Sequence, residues 1–249
     1  MKWILITAAF GSTNFHDSAN RLVNQAGKFN LFDECIVVSE VNLGEFAPRV
    51  IEKYGELLNS SVPGFGYFAW KPEIIQTTFE KYPECGVFYV DAGCELNFNF
   101  ITKLRLRRFL RVAKKGSFIH TLNYPEVVHT KNKVLKYFQI NSIDSLSPQI
   151  QATWFLLSGP RGKKITNLWL ESTLKDLALI DDSRFDENSK FLNHRHDQSI
   201  FSCIIKSMRV KPNNHRPCYR PLTPLSKINC YLHPVWSARN RSGCSLKNS

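Results

Sequence analysis

Two acidic residues, Asp91 and Glu95, follow a short apolar run over residues 86–90 and are the first side chains to suggest chemistry. The run is rich in β-branched and aromatic residues, which predicts a buried strand, and the small residues after Asp91 turn the chain out of the sheet. Ligands of open α/β sheets bind at the carboxyl ends of the strands. A carboxylate there can hold Mg²⁺ or Mn²⁺, and the cation can hold a diphosphate. The structural alternative is an Asp that caps its own turn.

An aromatic loop over residues 62–72, with the sequence VPGFGYFAWKP, precedes this strand. Its rings could stack on a sugar or a base, while Lys71 could meet a phosphate. Pro72 suits the first turn of a helix that runs to about Tyr82, which places Lys71 near a helix N-terminus, where anions are favoured. The alternative is that the rings only fill the core.

A second polar cluster, residues 193–199 with the sequence NHRHDQS, comes directly before apolar residues at helical spacing. Its spacing is not that of the zinc motif HExxH. Asp197 and Gln198 at the start of this helix could bind hydroxyls of a polar substrate, and Asp197 could accept a proton from one. The structural alternative is that Asp197 and Ser199 cap the helix.

The elements that must position these clusters alternate between strands and helices, which predicts an α/β fold. No GxGxxG or P-loop motif is present. The apolar patterns predict strands at residues 3–9, 34–39, 86–90, 116–120 and 151–158. Capping signals and 3.6-residue periodicity predict helices at residues 17–26, 48–58, 72–82, 101–115 and 165–179, with a turn at 159–162.

The charge balance predicts a polyanionic partner. The 249 residues include 33 Lys+Arg and 21 Asp+Glu, a formal net charge of +12. Nucleic acid, a nucleotide diphosphate and acidic lipid all fit this charge. Seven of the basic residues lie in the predicted amphipathic helix 101–115. Its basic side is either a solvated surface or a face that contacts an anionic membrane or an acidic polymer.

Cysteine use and the N-terminus predict a cytoplasmic protein. The seven cysteines contain no CxxC pair, which argues against a disulfide framework or a zinc module and indicates that most are reduced. The apolar run at residues 3–6 is too short to span a membrane and reads as the first strand. The basic, proline-rich tail from residue 209 either folds back over a diphosphate or forms a disordered end.

Three blocks carry a resemblance to a known family: GFGYFAWKP at 64–72, YVDAGCE at 89–95 and HRHDQS at 194–199. Together they resemble nucleotide-sugar glycosyltransferases of the GT-A fold type, particularly bacterial and viral polysaccharide-type members. The resemblance implies a single Rossmann-like domain over residues 1–208, with a mixed, mostly parallel sheet and helices on both faces. Residues 209–249 would be a tail partly packed over the site. The implied activity is transfer of a hexosyl or related group from a nucleotide-diphosphate donor to a hydroxyl of a glycan or other acceptor.

The resemblance also implies roles for individual residues. Asp91 and Asp197 would be catalytic, with Asp197 as the general base if the anomeric carbon is inverted. His196 and Gln198 would bind the acceptor. The implied donor-binding residues are Thr7, Ala8, Phe10, Trp70, Lys71, Asp91, Ala92, Gly93 and Arg239.

A divalent metal, Mn²⁺ or Mg²⁺, is the cofactor that the resemblance implies. Asp91 matches the first acid of the family's Asp-x-Asp motif, but Gly93 occupies the second acidic position. Glu95, or His233 in the tail, would then have to complete the metal site with Asp91. The departure at Gly93 leaves metal dependence open.

Two other functions remain in competition with sugar transfer. One is a nucleic-acid-binding protein that uses the basic helix and tail, although no recognised nucleic-acid motif is visible. The other is a nucleotidyltransferase on a similar Rossmann-like scaffold, which would share the acid at the strand end. The donor, the acceptor, the linkage and the oligomeric state are not encoded in any recognisable motif.

Overall fold

The protein is described by a computed structural model that covers residues 1–184, 186–219 and 224–244. The strands are β1 (Lys2–Ala8), β2 (Glu34–Val38), β3 (Cys85–Val90), β4 (Glu95–Leu96), β5 (Ser117–Phe118), β6 (Thr121–Pro125), β7 (Pro148–Ile150), β8 (Trp154–Ser158) and β9 (Val235–Trp236). A central five-stranded sheet has the order β2-β1-β3-β8-β5. β2, β1 and β3 are parallel, and β8 runs antiparallel to both of its neighbours. The predicted mixed sheet is confirmed.

Helices cover both faces of this sheet, as predicted. The helices are α1 (Thr13–Phe29), α2 (Leu43–Phe46), α3 (Pro48–Tyr54), α4 (Gly64–Tyr67), α5 (Trp70–Lys81), α6 (Phe100–Ala113), α7 (Glu126–His129), α8 (Asn132–Tyr137), α9 (Ser142–Leu146), α10 (Gly159–Lys175), α11 (His196–Ser207) and α12 (Pro224–Tyr231), with 3-10 turns at Gly55–Leu57 and Leu177–Leu179. Successive strand residues point to opposite faces. Ile4 and Ile6 therefore pack with α5, α10 and α11, whereas Trp3 and Leu5 pack with α1 and α6.

Several helix boundaries differ from the sequence prediction, and two of them have a clear local cause. α10 begins at Gly159, inside the predicted turn, because Pro160 fits a first helical turn where its missing N–H is not needed. α1 continues past Gly27 to Phe29 and is capped by Asn30, whose left-handed backbone (φ 50°) closes the helix. In the described ranges, no helix is long and apolar enough to cross a bilayer.

The described part of the tail packs against the domain. β9 pairs with β4, and the backbone N–H of Asn240 donates to Gly93 O at 2.8 Å. The Arg21 guanidinium donates to the carbonyl oxygens of Ala92 (3.0 Å), Cys94 (2.9 Å) and Asn240 (3.3 Å). This contact ties the tail to the loop that follows β3. Residues 220–223 and 245–249 of the predicted tail lie outside the described residues.

One disulfide is present, although the cysteine spacing argued against a disulfide framework. Cys218 and Cys230 are bonded, with their Cα atoms 5.9 Å apart. They are separated by 12 residues in the sequence, a spacing without any CxxC pattern. The free cysteines are Cys35, Cys85, Cys94, Cys203 and Cys244.

Three histidines join the tail to the sheet. His215 and His233 of the tail have ring centroids 5.1 Å apart, and His215 lies 5.3 Å from His120. Burial lowers the pKa of all three, to about 4 for His120 and His233 and to about 2 for His215. Arg105 adds to the lowering of the pKa for both tail histidines. The three rings are therefore neutral in the folded protein at pH 7.

Acidification should weaken the fold through this histidine cluster. The unfolded chain binds protons on His near pH 6.5, whereas the folded chain binds them only near pH 4 or below. We therefore expect the melting temperature to fall as the pH drops from about 6.5 towards 4. His215→Phe keeps an aromatic ring but cannot take a proton, so its melting temperature should fall less over this range. Circular dichroism melts at stepped pH test this, and equal slopes for both proteins would contradict it.

Candidate active site

Asp91 lies at the carboxyl end of β3, the central strand of the sheet. Its side chain is 32% exposed, and its Oδ1 accepts hydrogen bonds from Lys71 Nζ (3.1 Å) and Tyr89 Oη (2.7 Å). A backbone hydrogen bond closes the turn after the strand, because the Cys94 N–H donates to Asp91 O at 2.9 Å. The Asp91 carboxylate therefore has partners on the neighbouring helix and strand and a surface open to solvent.

Lys71 joins the three sequence blocks. It lies at the start of α5 with a side chain only 2% exposed, and its Nζ is 2.5 Å from Asp197 Oδ2 as well as 3.1 Å from Asp91 Oδ1. Asp197 lies in the first turn of α11. The aromatic loop, the strand end and the polar cluster thus each contribute one charged residue to a single site. We call this site the Asp91–Lys71–Asp197 triad.

The charges of the triad are strongly coupled by burial. Burial alone would lower the pKa of Lys71, but the carboxylates of Asp197 and Asp91 outweigh it and raise that pKa. Burial raises the pKa of Asp197, and the neighbouring Asp91 charge raises it further, against the opposing effect of Lys71. A carboxylate with a raised pKa beside a permanent cation is suited to accept a proton.

Tyr89 is a site residue that the sequence analysis missed. Its ring faces the Lys71 ammonium, with Nζ 4.8 Å from the ring centroid, and its hydroxyl donates to Asp91. The signal was available, because residues two apart in a strand point to the same face and Tyr89 precedes Asp91 by two. Burial and the Asp91 charge raise the pKa of Tyr89 well above its usual value. Tyr89 therefore acts as a fixed hydrogen-bond donor to Asp91.

The aromatic loop forms a left-handed turn. Gly64, Phe65, Gly66, Tyr67 and Phe68 all have positive φ, between 54° and 87°. A Cβ at either glycine would clash with a neighbouring side chain. Left-handed backbone is costly for residues that carry a Cβ, and such strain is concentrated at functional sites. The turn therefore holds three aromatic residues in a conformation that the sequence pattern did not predict.

The rings of this loop divide into a buried and a partly exposed set. Phe10 stacks on Phe65 with centroids 4.6 Å apart and meets Trp70 edge-on at 4.8 Å. Phe10 and Trp70 are 7% and 4% exposed, so in this structure they fill the core, the alternative stated above. Tyr67 and Phe68 are half-buried and lie 5.1 and 6.5 Å from the His196 ring.

The other predicted donor-binding residues line the same edge of the sheet. β1 and β3 are parallel, with Ile6 beside Tyr89, so Thr7 and Ala8 run alongside the end of β3. The Thr7 hydroxyl is buried and has no hydrogen-bond partner among the described residues. Ala92 is buried in the loop after Asp91. Their role in binding a donor stays a prediction.

The two predicted acceptor residues have different surroundings. The Gln198 amide is used within the fold, because its Oε1 accepts from Ala152 N (3.2 Å) and its Nε2 donates to Gln149 Oε1 (2.7 Å). This argues against Gln198 as an acceptor ligand. His196 is half-buried with Nδ1 2.7 Å from Ile180 O, and its Nε2 lies 3.8 Å from Asp182. Its role stays a prediction.

The predicted metal ligands do not come together, which corrects that expectation. Glu95 is 1% exposed and accepts from Asn240 Nδ2 at 2.7 Å, while His233 belongs to the histidine cluster. Within the described ranges, no group of three or more His, Cys, Asp or Glu residues could hold a metal ion. The Lys71 ammonium already lies against Asp91, so these residues do not fit a divalent ion held by protein ligands.

Gly93, two positions after Asp91, lies against the backbone of the tail. A Cβ added at Gly93 would lie 3.4 Å from Arg239 Cα, so the tail backbone packs directly on this position. Arg239 has a left-handed backbone (φ 52°) and an exposed side chain. Arg239 therefore lies beside the loop that follows Asp91, and its contact with a donor stays a prediction.

Comparison with known proteins shows the fold. No protein-family profile and no curated protein sequence matches this chain. The apo structure of WbbM, a bifunctional glycosyltransferase, matches with a TM-score of 0.52 and 10% identity over 94% of this chain and 45% of that chain. Mouse xyloside xylosyltransferase 1, apo form, gives 0.48 and 12% over 96% and 98% of the two chains. A glycosyltransferase involved in glycosylation of the major capsid of PBCV-1 gives 0.47 and 10% over 95% and 94%. The chain shares an α/β, Rossmann-like fold with the WbbM structure.

Proposed function

We propose that this protein is a glycosyltransferase that moves a sugar from a nucleotide-diphosphate donor to a hydroxyl of a glycan or another acceptor. One observation carries the proposal. Three blocks that are far apart in the sequence each place a charged residue in the Asp91–Lys71–Asp197 triad, at the sheet edge where this fold class binds ligands. The fold found in WbbM supports the same reading.

Each member of the triad has a distinct task in this proposal. Displacement at the anomeric carbon passes through an oxocarbenium-like state, and a nearby carboxylate stabilises its positive charge. Asp91, a third exposed, is the carboxylate for this task. Asp197 removes the proton of the acceptor hydroxyl, which implies inversion at the anomeric carbon. Lys71 positions both carboxylates and partly neutralises them.

The leaving diphosphate needs cationic partners, because negative charge builds on it during transfer. Lys71 is enclosed by its two carboxylates, so Arg239 is the exposed cation that we assign to the diphosphate. Arg side chains bind phosphate oxygens through two parallel hydrogen bonds. No step of this proposal uses a metal ion.

A panel of nucleotide sugars tests the proposal. At about ten times its dissociation constant, the correct donor should raise the melting temperature by about 3–6 °C. Arg239→Gln should remove most of this rise, because Arg239 is the cation assigned to the diphosphate, and the exposed α3 substitution Glu52→Gln should keep it. Parallel samples with Mn²⁺ or with EDTA show whether a metal between Asp91 and the diphosphate is required. Incorporation of nucleotide instead of sugar, or no rise with any nucleotide sugar, would contradict the proposal.

A further inference from the structure

We propose that one face of α6 docks the protein onto an anionic phospholipid bilayer. This face combines an exposed apolar turn at the start of the helix with a row of exposed cations along the rest of it. The inference goes beyond sugar transfer and does not depend on it.

The apolar turn consists of Phe100, Ile101 and Leu104. Their side chains are 76%, 43% and 47% exposed. Tyr231 of α12, 56% exposed, lies beside them, because its carbonyl oxygen accepts from Asn99 Nδ2 at 2.9 Å. Single exposed apolar residues are common on soluble proteins, but a contiguous group of this kind marks an interaction site.

The cationic row consists of three residues of α6 and the two residues directly after it, all exposed: Arg107, Arg108, Arg111, Lys114 and Lys115. At 100° per residue, these five positions fall within the same sector of the helix as the apolar turn. The opposite side is buried against the sheet through Leu106, Phe109, Leu110 and Ala113. Residues 100–115 contain no Asp or Glu, and none of the five cations forms an ion pair with a described residue.

An anionic membrane surface matches both halves of this face. Basic side chains are attracted to acidic headgroups, and the apolar turn can enter the boundary between headgroups and acyl chains. Nucleic acid would satisfy the cations, but the phosphate backbone offers nothing to the exposed Phe100, Ile101 and Leu104. A face that only contacts water would not group these three residues at its end. An anionic bilayer is therefore the partner that we assign to this face.

Co-sedimentation with vesicles tests the docking face. We expect the protein to bind vesicles of equal parts phosphatidylcholine and phosphatidylglycerol, more strongly at low salt, and to bind pure phosphatidylcholine weakly. Each lost cation should weaken binding about fivefold, so Arg107→Glu with Arg111→Glu should weaken it by at least about 25-fold. Phe100→Ser should weaken it by at least about tenfold. Circular dichroism melts confirm that these variants fold.

A matched control separates this face from net charge. Lys53→Glu with Lys164→Glu makes the same change in net charge on α3 and α10, which cover the opposite face of the sheet. This control should bind vesicles almost as well as the natural protein. Equal loss in the control, no preference for the anionic vesicles, or full binding by Phe100→Ser would overturn the proposal. Tighter binding to RNA or DNA than to vesicles, unaffected by Phe100→Ser, would overturn it as well.

Discussion

Asp197→Asn should lower the rate of sugar transfer by roughly 10²–10⁴-fold, the usual contribution of a general base. The amide keeps the shape of the side chain but cannot take the acceptor proton. Because Asp91 and Arg239 remain, the donor should still raise the melting temperature of this variant. Initial rates, measured with the donor that the thermal panel identifies, give the size of the loss.

The pH profile of the same reaction distinguishes a base from a structural residue. Because its pKa is raised, Asp197 loses its base form at a higher pH than an ordinary Asp does. The rate of the natural protein should therefore fall as the pH drops through this raised pKa. In Asp197→Asn this acid limb should disappear. Glu52→Gln, on the exposed side of α3, should keep both the rate and the limb. An Asp197→Asn protein with a normal rate would remove Asp197 from the mechanism.

Lys71→Met should lower the free energy of unfolding by about 3–5 kcal/mol at pH 7, the usual effect of removing one partner of a buried ion pair. The substitution leaves the buried Asp197 carboxylate without its cation, 2.5 Å from where Nζ stood. It should also raise the pKa of Asp197 further, because burial and Asp91 would then act without the opposing charge of Lys71. The loss of stability should therefore shrink as the pH falls and Asp197 becomes protonated. Urea unfolding at pH 7.5 and 5 measures both effects.

A double variant shows whether charge is the cause. Lys71→Met with Asp197→Asn removes the cation and its closest anion together, so it should be more stable than Lys71→Met alone. Lys53→Met, at an exposed position of α3, should change the free energy of unfolding by less than about 0.5 kcal/mol. Additive losses in the double variant, or a loss below about 1 kcal/mol in Lys71→Met, would show that the ion pair does not hold this site together.

Features that depend on neighbouring residues in the chain could be predicted from the sequence. The apolar runs located β1 and β3 because buried strands need continuous apolar side chains, and helical periodicity located α6 and α11. The placement of Asp91 at the carboxyl end of a central strand followed from the apolar run that precedes it. The position before a predicted helix singled out Lys71, whereas Asp197 was singled out chiefly by the resemblance, with helix capping as its structural alternative.

Features that depend on packing between distant segments required the tertiary structure. Only the folded chain brings Lys71 within ion-pair distance of both Asp91 and Asp197, which are 20 and 126 positions away in the sequence. The same is true of Glu95, whose carboxylate accepts from Asn240 of the tail instead of joining a metal site. The local sequence pattern determines which segments form strands and helices. The orientation of a buried charged side chain is determined by the partner that compensates its charge, and only the tertiary fold brings that partner into contact.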